Sequence, residues 1–218
     1  SKSFDDGGYH VLRKNHAMAI LRYPRFSFRP SQADALHVDL WYCGVNLLRD
    51  AGTFSYNAEG ANWFSGTAAH NTVEFDGRDQ MPRLGRFLFG DWLTANSAIS
   101  VQEVAGLVTA AAGYSDYHGA EHHRAIKLAN GGLVCTDSIS GDFKNACLRW
   151  RLAPGNWRID GVVLSSEHCT ISIEIDGTPV KPALGKTEES RYYLQKNTIP
   201  VASVSVDHPA TLVTKVTF

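Results

Sequence analysis

The sequence predicts an all-β protein, an antiparallel two-sheet β-sandwich, on three observations. Apolar and polar residues alternate over short runs instead of recurring every three or four positions. The runs return about every ten to twelve residues. Between them lie turn signals, Asn130-Gly131-Gly132, Ser140-Gly141-Asp142, Pro154-Gly155-Asn156 and Asp176-Gly177.

Taken in order, residues 9–23 read as two short strands broken at Lys14-Asn15, and Pro24 and Pro30 then interrupt the chain. Leu36-His37-Val38-Asp39-Leu40-Trp41 alternates as a strand with one buried face, Gly44-Val45-Asn46 forms a tight turn, and Asp50 ends the returning strand. The one short helix expected lies at 61–65, and residues 82–92 read as a turn followed by an apolar strand. Further strands are expected at 98–104, 106–113, 121–129, 132–138, 145–153, 157–165, 168–176, 191–196, 200–206 and 211–217. The polar run 181–190 reads as an exposed hairpin loop. No linker, repeat or low-complexity tract divides the chain, so one domain spans 1–218.

With 218 residues, 44% of them hydrophobic, the chain can bury one sizeable core. Its net charge of −1 supplies no basic field, which excludes nucleic acid and anionic membrane as expected partners. No run of 18 apolar residues provides a membrane span. The opening SKSFDDGGYHVLR lacks the charged start and apolar centre of a signal peptide. Cys43, Cys135, Cys147 and Cys169 form no CxxC pair; buried free thiols are the simplest reading, and disulfides in an oxidising compartment remain the alternative.

Residues 29–80 concentrate the chemistry: Gln32, Asp34, Asp50, His70 and Asn71 fall among short strands and turns. Carboxylate oxygen and imidazole nitrogen from separate strands suit zinc or a similar divalent ion, with an open position for water or substrate. Gln32, Asp50 and His70 are the candidate metal ligands, although an amide oxygen binds zinc weakly. Without a metal, Asp50 caps a turn, His70 bonds a neighbouring backbone and Gln32 fills a polar notch. Asp34 is expected to accept backbone N–H groups and fix its loop. His118, His122 and His123 form no metal site, because adjacent residues on a strand face opposite ways; they are expected at a solvated strand end. No phosphate loop, dinucleotide fingerprint or nucleophile elbow occurs.

The pieces QADAL (32–36), LLRDAGTFSY (47–56), GTAAHNTVEFDG (66–77) and RDQ (78–80) resemble, in order and spacing, the C-terminal domain of the heparinase II/III-like polysaccharide lyases. There the corresponding pieces read roughly His-x-His-Ala-Asp, Asp-x-Gly-Thr-Tyr and Ala-His-Asn. The resemblance covers roughly residues 7–92. It implies a toroid-plus-sandwich lyase that cleaves uronic-acid-containing polysaccharide by β-elimination, with a bound divalent metal in several members. It further implies an N-terminal α/α-toroid as partner of this domain, a periplasmic or secreted bacterial parent, and a β domain inactive alone. His70 is the first catalytic or metal candidate and Tyr56 a proton donor or sugar-stacking aromatic; Asn71, Arg78 and Gln80 are expected to face substrate. The exposed-aromatic candidates Trp41, Tyr42, Trp63 and Phe64 offer further stacking surfaces. Two alternatives come from other classes: a non-catalytic carbohydrate-binding or scaffolding domain in exopolysaccharide assembly, and a cupin-like metal domain that would need more histidines.

Overall fold

The alternation read from the sequence becomes strand register. A computed structural model describes residues 1–218. In the paired strands Tyr9–Lys14 and Ala17–Arg22, His10, Leu12, Ala17, Ala19 and Leu21 are buried while their neighbours are not. The five-stranded first sheet runs Lys2–Phe4, Tyr9–Lys14, Ala17–Arg22, Val38–Tyr42, Val45–Leu48.

The nine-stranded second sheet runs Arg158–Asp160, Val163–Ser165, Thr170–Ile175, Ala210–Thr217, Gly132–Gly141, Ala120–Ala129, Leu107–Ser115, Ala95–Val104, with Thr178–Val180 beside Thr170–Ile175. A four-stranded third sheet runs Ala183–Glu189, Asn197–Val206, Ala146–Arg151, Val73–Phe75, and a small hairpin pairs Arg83–Gly85 with Leu88–Phe89. Every ladder between these strands is antiparallel.

Three large sheets still make two layers. Leu48 bridges Leu152. The Arg49 N–H donates to the Arg151 carbonyl at 3.0 Å and the Ala153 N–H to the Leu47 carbonyl at 2.9 Å, so the first and third sheets abut edge to edge. This composite layer covers the nine-stranded sheet; Trp150 Nε1 donates across the interface to Thr214 Oγ1 at 3.0 Å. One core cluster of 41 buried residues draws on all three sheets. The chain is thus an all-β sandwich, and no helix in it is long and apolar enough to cross a membrane.

Several local expectations need correction. Residues 181–190 are not a loop: Ala183–Glu189 is an edge strand in register from Ala183↔Ser203 to Glu189↔Asn197. Most of its residues are exposed, so its polar composition hid strand pairing that only the backbone declares. The expected strand at 191–196 is instead the turn of that hairpin, with Leu194 at φ 61°. Residues 157–165 split into a hairpin of two three-residue strands. His122 is not at a solvated end but fully buried, because its strand face points into the core; half-exposed His123 takes the opposite face. All four cysteines are unpaired, with Cys135 and Cys169 buried.

The core contains a charged pair, Arg124 and Asp137, whose role is structural. Arg124 is fully buried. Its Nε donates to Asp137 Oδ1 at 2.6 Å and its Nη2 to Asp137 Oδ2 at 3.0 Å. Nη1 reaches into the other layer, donating at 2.5 Å to the carbonyls of both Leu36 and Asn71. The guanidinium lies 4.8 Å over the Trp150 ring, and His122 Nε2 is 2.7 Å from Asp137 Oδ1. Burial pushes the Asp137 carboxyl up, but the Arg124 charge and the His122 contact outweigh it and bring it down to about 2. Replacing one partner of such a pair strands the other charge, so Asp137→Asn should destabilise the protein by about 3–5 kcal/mol at neutral pH. A carboxylate with a depressed folded value stabilises above its unfolded value near pH 4, and loses that contribution as pH falls through its folded value. The gap between parent and variant denaturation midpoints should therefore hold at pH 5–7 and shrink between about pH 4 and 2.

Candidate active site

Three short backbone devices bring distant histidines to one carboxylate. Leu36 sits in the left-handed region at φ 60°, its N–H on the Arg22 carbonyl at 2.8 Å and its carbonyl on Arg124. This bend delivers His37 at the start of Val38–Tyr42, with the His37 N–H on the Asp34 carbonyl at 3.0 Å. Asp50 follows Val45–Leu48 and folds back in an Asx turn, Oδ1 accepting the Gly52 N–H at 2.6 Å. Gly52 has φ 76°, and a Cβ there would overlap the Ser190 carbonyl, so a side chain would push the Glu189–Ser190 edge away from the site. His70 follows the 3₁₀ turn Thr67–Ala69.

His37, Asp50 and His70 thus each present a potential ligand atom within 4.8 Å of the others. His70 Nδ1 lies 2.8 Å from Asp50 Oδ2. His37 Nε2 lies 3.8 Å from the same oxygen and 3.4 Å from Asp39 Oδ2. The rings of His37 and His70 stand edge to face at 5.5 Å. The Asp50 side chain is 38% exposed, whereas those of His37 and His70 are 8% and 1% exposed. Asp50 is the solvent-facing member of the set. Burial raises its carboxyl, yet the charge and hydrogen bond of His70, the charge of His37 and the Gly52 N–H hold it far below the usual carboxylate range.

Arginines and carboxylates alternate around Asp50. Arg49 Nε pairs with Glu189 Oε2 at 3.0 Å. Arg151, fully buried, donates to Thr187 Oγ1 at 3.0 Å and to the Glu188 carbonyl, and burial brings its guanidinium down to about 10. Asp39, Trp41, Asn46, Arg49, Asp50 and Arg191 line a shallow cleft over the cluster.

The structure redistributes the roles expected from sequence. Asn71, expected to face substrate, is turned inward. It is fully buried, its N–H on His37 Nδ1 at 2.9 Å, its Nδ2 on the carbonyls of Val38 at 2.9 Å and Arg49 at 3.3 Å, and its Oδ1 accepting the Arg151 N–H at 2.6 Å. Its hydrogen-bonding capacity is spent on sewing the two sheets of one layer together. Gln80 is likewise buried, its amide paired with both backbone groups of Ala35 and with the Tyr114 hydroxyl, each at 2.9 Å. Arg78 is paired with Asp116 and lies 5.4 Å over the Tyr117 ring.

Asp34 takes no backbone N–H; its Oδ1 instead pairs with Arg22 Nε at 2.8 Å. Tyr56 is 56% exposed and lines a second cleft together with Gln32, whose Oε1 is buried without a partner. No hydrogen bond ties Gln32 to Asp50 or His70. His37, absent from the sequence-derived ligand set, completes the cluster. Its alternation with Asp39 on the polar face of the strand was the available signal.

As hydrogen-bonded here, His37 presents no free lone pair to a divalent metal. His37 Nδ1 accepts the Asn71 N–H, so the neutral ring carries its proton on Nε2, the nitrogen that faces Asp39 and Asp50. To ligate through Nε2, His37 would have to become an imidazolate or give up the Asn71 bond. Asp50 is already committed to His70 and Gly52. Of the four ring nitrogens of His37 and His70, only His70 Nε2 is without a partner in the protein. Purified protein should accordingly carry well under one zinc per chain by elemental analysis, and added zinc should leave the melting temperature unchanged. Stoichiometric zinc, or a shift that scales with zinc concentration, would overturn this assignment.

The family model described as heparinase II/III-like, C-terminal, matches residues 1–203. A heparin-sulfate lyase of Bacteroides stercoris is 32% identical over 89 residues, 36% of this chain and 13% of that protein. Among solved structures, a heparinase III gene product aligns over 100% of this chain and 36% of its own, with TM-score 0.80 and 20% identity. The heparan sulfate lyase HepC from Pedobacter heparinus aligns over 100% and 36%, with TM-score 0.77 and 18% identity. These structures support the sandwich fold, and the chain spans about a third of their length. Its sequence match over 1–203, carried by a fold that gathers the motif residues Asp50, His70 and Asn71 around one centre, makes the chain a member of the heparinase II/III-like C-terminal family.

Proposed function

We propose that this chain is the β domain of a polysaccharide lyase that cleaves uronic-acid-containing polysaccharide by β-elimination, a helical domain supplying the facing wall of the cleft. The observation that carries this reading is the state of His70. Its Nδ1 is held by the Asp50 carboxylate, which keeps the Nδ1 proton and turns the lone pair onto Nε2; that nitrogen has no partner in the protein. An imidazole oriented by a carboxylate on one nitrogen and vacant on the other is the arrangement that proton transfer requires. In β-elimination a base takes the C5 proton beside the sugar carboxylate, the C4–O bond breaks as the C4–C5 double bond forms, and an acid protonates the leaving oxygen. Charge that builds on the uronate must be met by fixed cations or donors. Arg191, exposed at the rim of the cleft over Asp50, is the cation of this domain placed to meet it. Nε2 of His70 is covered in the domain alone, so its access to substrate requires that cover to open when the cleft forms.

A second reading, a non-catalytic carbohydrate-binding or scaffolding domain, draws on two observations. His70 is 1% exposed, and Gln32 stands where the family motif has a histidine. Activity separates them. In the protein with its helical domain, His70→Ala should lower the ultraviolet-detected formation of unsaturated uronate by roughly 10²–10⁴-fold, the range for a lost acid–base group. Equal rates in variant and parent would reject the assignment of His70. No unsaturated product from the parent on any of a panel of acidic polysaccharides would favour the binding role.

A further inference from the structure

The second cleft, lined by Gln32, Thr53, Tyr56, Asn62, Arg86 and Phe87, has a composition that the cluster around Asp50 does not explain. Three separate segments meet at its mouth. Tyr56 comes from the loop after Asp50, Phe87 from the turn of the hairpin joining Arg83–Gly85 to Leu88–Phe89, and Tyr193 from the turn before Asn197–Val206. Their side chains are 56%, 44% and 55% exposed, unusual for three large rings in contact. Tyr56 lies 5.6 Å from Phe87, edge to face, and 5.7 Å from Tyr193, tilted.

The grouping is braced from behind. The Tyr193 hydroxyl receives the Tyr56 N–H at 3.3 Å and lies 3.4 Å from Ser55 Oγ. Arg83 ties the hairpin to the 3₁₀ turn Ala61–Ser65 through Ser65 Oγ at 3.0 Å and the Asn62 carbonyl at 3.1 Å. Arg86, at the tip of the same hairpin, is exposed and steadied by Asn57 Oδ1. Gln32 Oε1, a buried acceptor without a donor, belongs to a residue of the cleft lining.

We infer that this cleft is a binding subsite for an anionic sugar unit, resting on the lyase reading for its place beside the reaction. The aromatic rings offer an apolar wall to a sugar face. The Arg86 guanidinium offers a fork for a carboxylate or sulfate, and the Gln32 amide a partner for hydroxyls. The one positive group on an otherwise uncharged lining selects an acidic saccharide over a neutral one. Thr53 is three residues from Asp50, at most about 11 Å along the chain. The subsite would therefore hold a sugar adjoining the unit at the Asp50–His70 cluster and set how the polymer is threaded.

The test is direct binding, measured calorimetrically on the protein with its helical domain. The probes are a heparan sulfate hexasaccharide, a mannuronate hexasaccharide and a neutral cello-oligosaccharide. The parent should bind at least one acidic probe, weaken as salt is raised, and bind the neutral probe poorly. Arg86→Gln should weaken acidic-probe binding at least about tenfold, as for a lost charged hydrogen bond, with Arg86→Lys intermediate. Phe87→Ala should weaken it by about three- to tenfold. Both positions are exposed loop residues, and unchanged melting temperatures will separate binding loss from unfolding. Binding by the parent without eliminated product would keep the subsite and remove the lyase reading. Cleavage by the parent with affinity and KM unchanged in the Arg86 and Phe87 variants would overturn the subsite and leave that reading standing. Absence of binding by the parent to either acidic probe would also overturn the subsite.

Discussion

The candidate site depends on a buried guanidinium that touches neither Asp50 nor the two histidines. Arg124 is held on the nine-stranded sheet by Asp137 and extends Nη1 to the carbonyls of Leu36 and Asn71 in the opposite layer. Those two carbonyls precede His37 and follow His70 in the chain. One cation thereby fixes the two backbone segments that carry the histidines, across the interface between layers. An isolated charge could not be buried here; Asp137, the carbonyls and the Trp150 face together replace the water it loses. The bond that stabilises the sandwich is also the bond that sets the spacing of the histidines.

Asn71 carries that constraint one step further. Its carbonyl is spent on Arg124, its N–H on His37 Nδ1, and its side chain on Val38, Arg49 and Arg151. The N–H assigns the tautomer of His37, and the tautomer decides what the cluster can do. With the proton on Nε2, His37 is a donor facing carboxylates and not a lone-pair ligand. A proton network and a metal site can be built from the same residue types; here a backbone amide holds His37 in its donor form. The Asp39 and Asp50 charges, against burial, raise the proton affinity of His37, while a second proton on Nδ1 would break the Asn71 bond. Charge on His37 and the position of residue 71 are therefore opposed.

The site divides into a covered interior and an open surface. His70, Asn71 and Gln80 lie within the protein, where their hydrogen bonds are strong because competing water is absent. Asp50, Arg49, Arg191, Tyr56, Arg86 and Phe87 line the two open clefts. The short segment from Asp50 to Tyr56 runs from one cleft to the other, turning at Gly52, where only a residue without Cβ fits beneath Ser190.

The sequence by itself determined the fold class, the two-strand reading of residues 9–23 and most of the later strands, and it singled out Asp50 and His70. Period-two burial and turn chemistry are local, and the motif order around residues 32–80 is written in one dimension. Tertiary structure decided the rest. The edge strand Ala183–Glu189 is invisible to a pattern search because its exposed faces carry no apolar alternation; only its ladder with Asn197–Val206 defines it. The roles of Asn71 and Gln80 reversed from surface to interior because a polar side chain tolerates burial when backbone groups from distant strands meet it, and such meetings leave no mark on local sequence. His37 joined the cluster for the same reason. Its place beside Asp50 and His70 follows from a left-handed bend at Leu36 and an arginine 88 residues away, a distance that only folding closes.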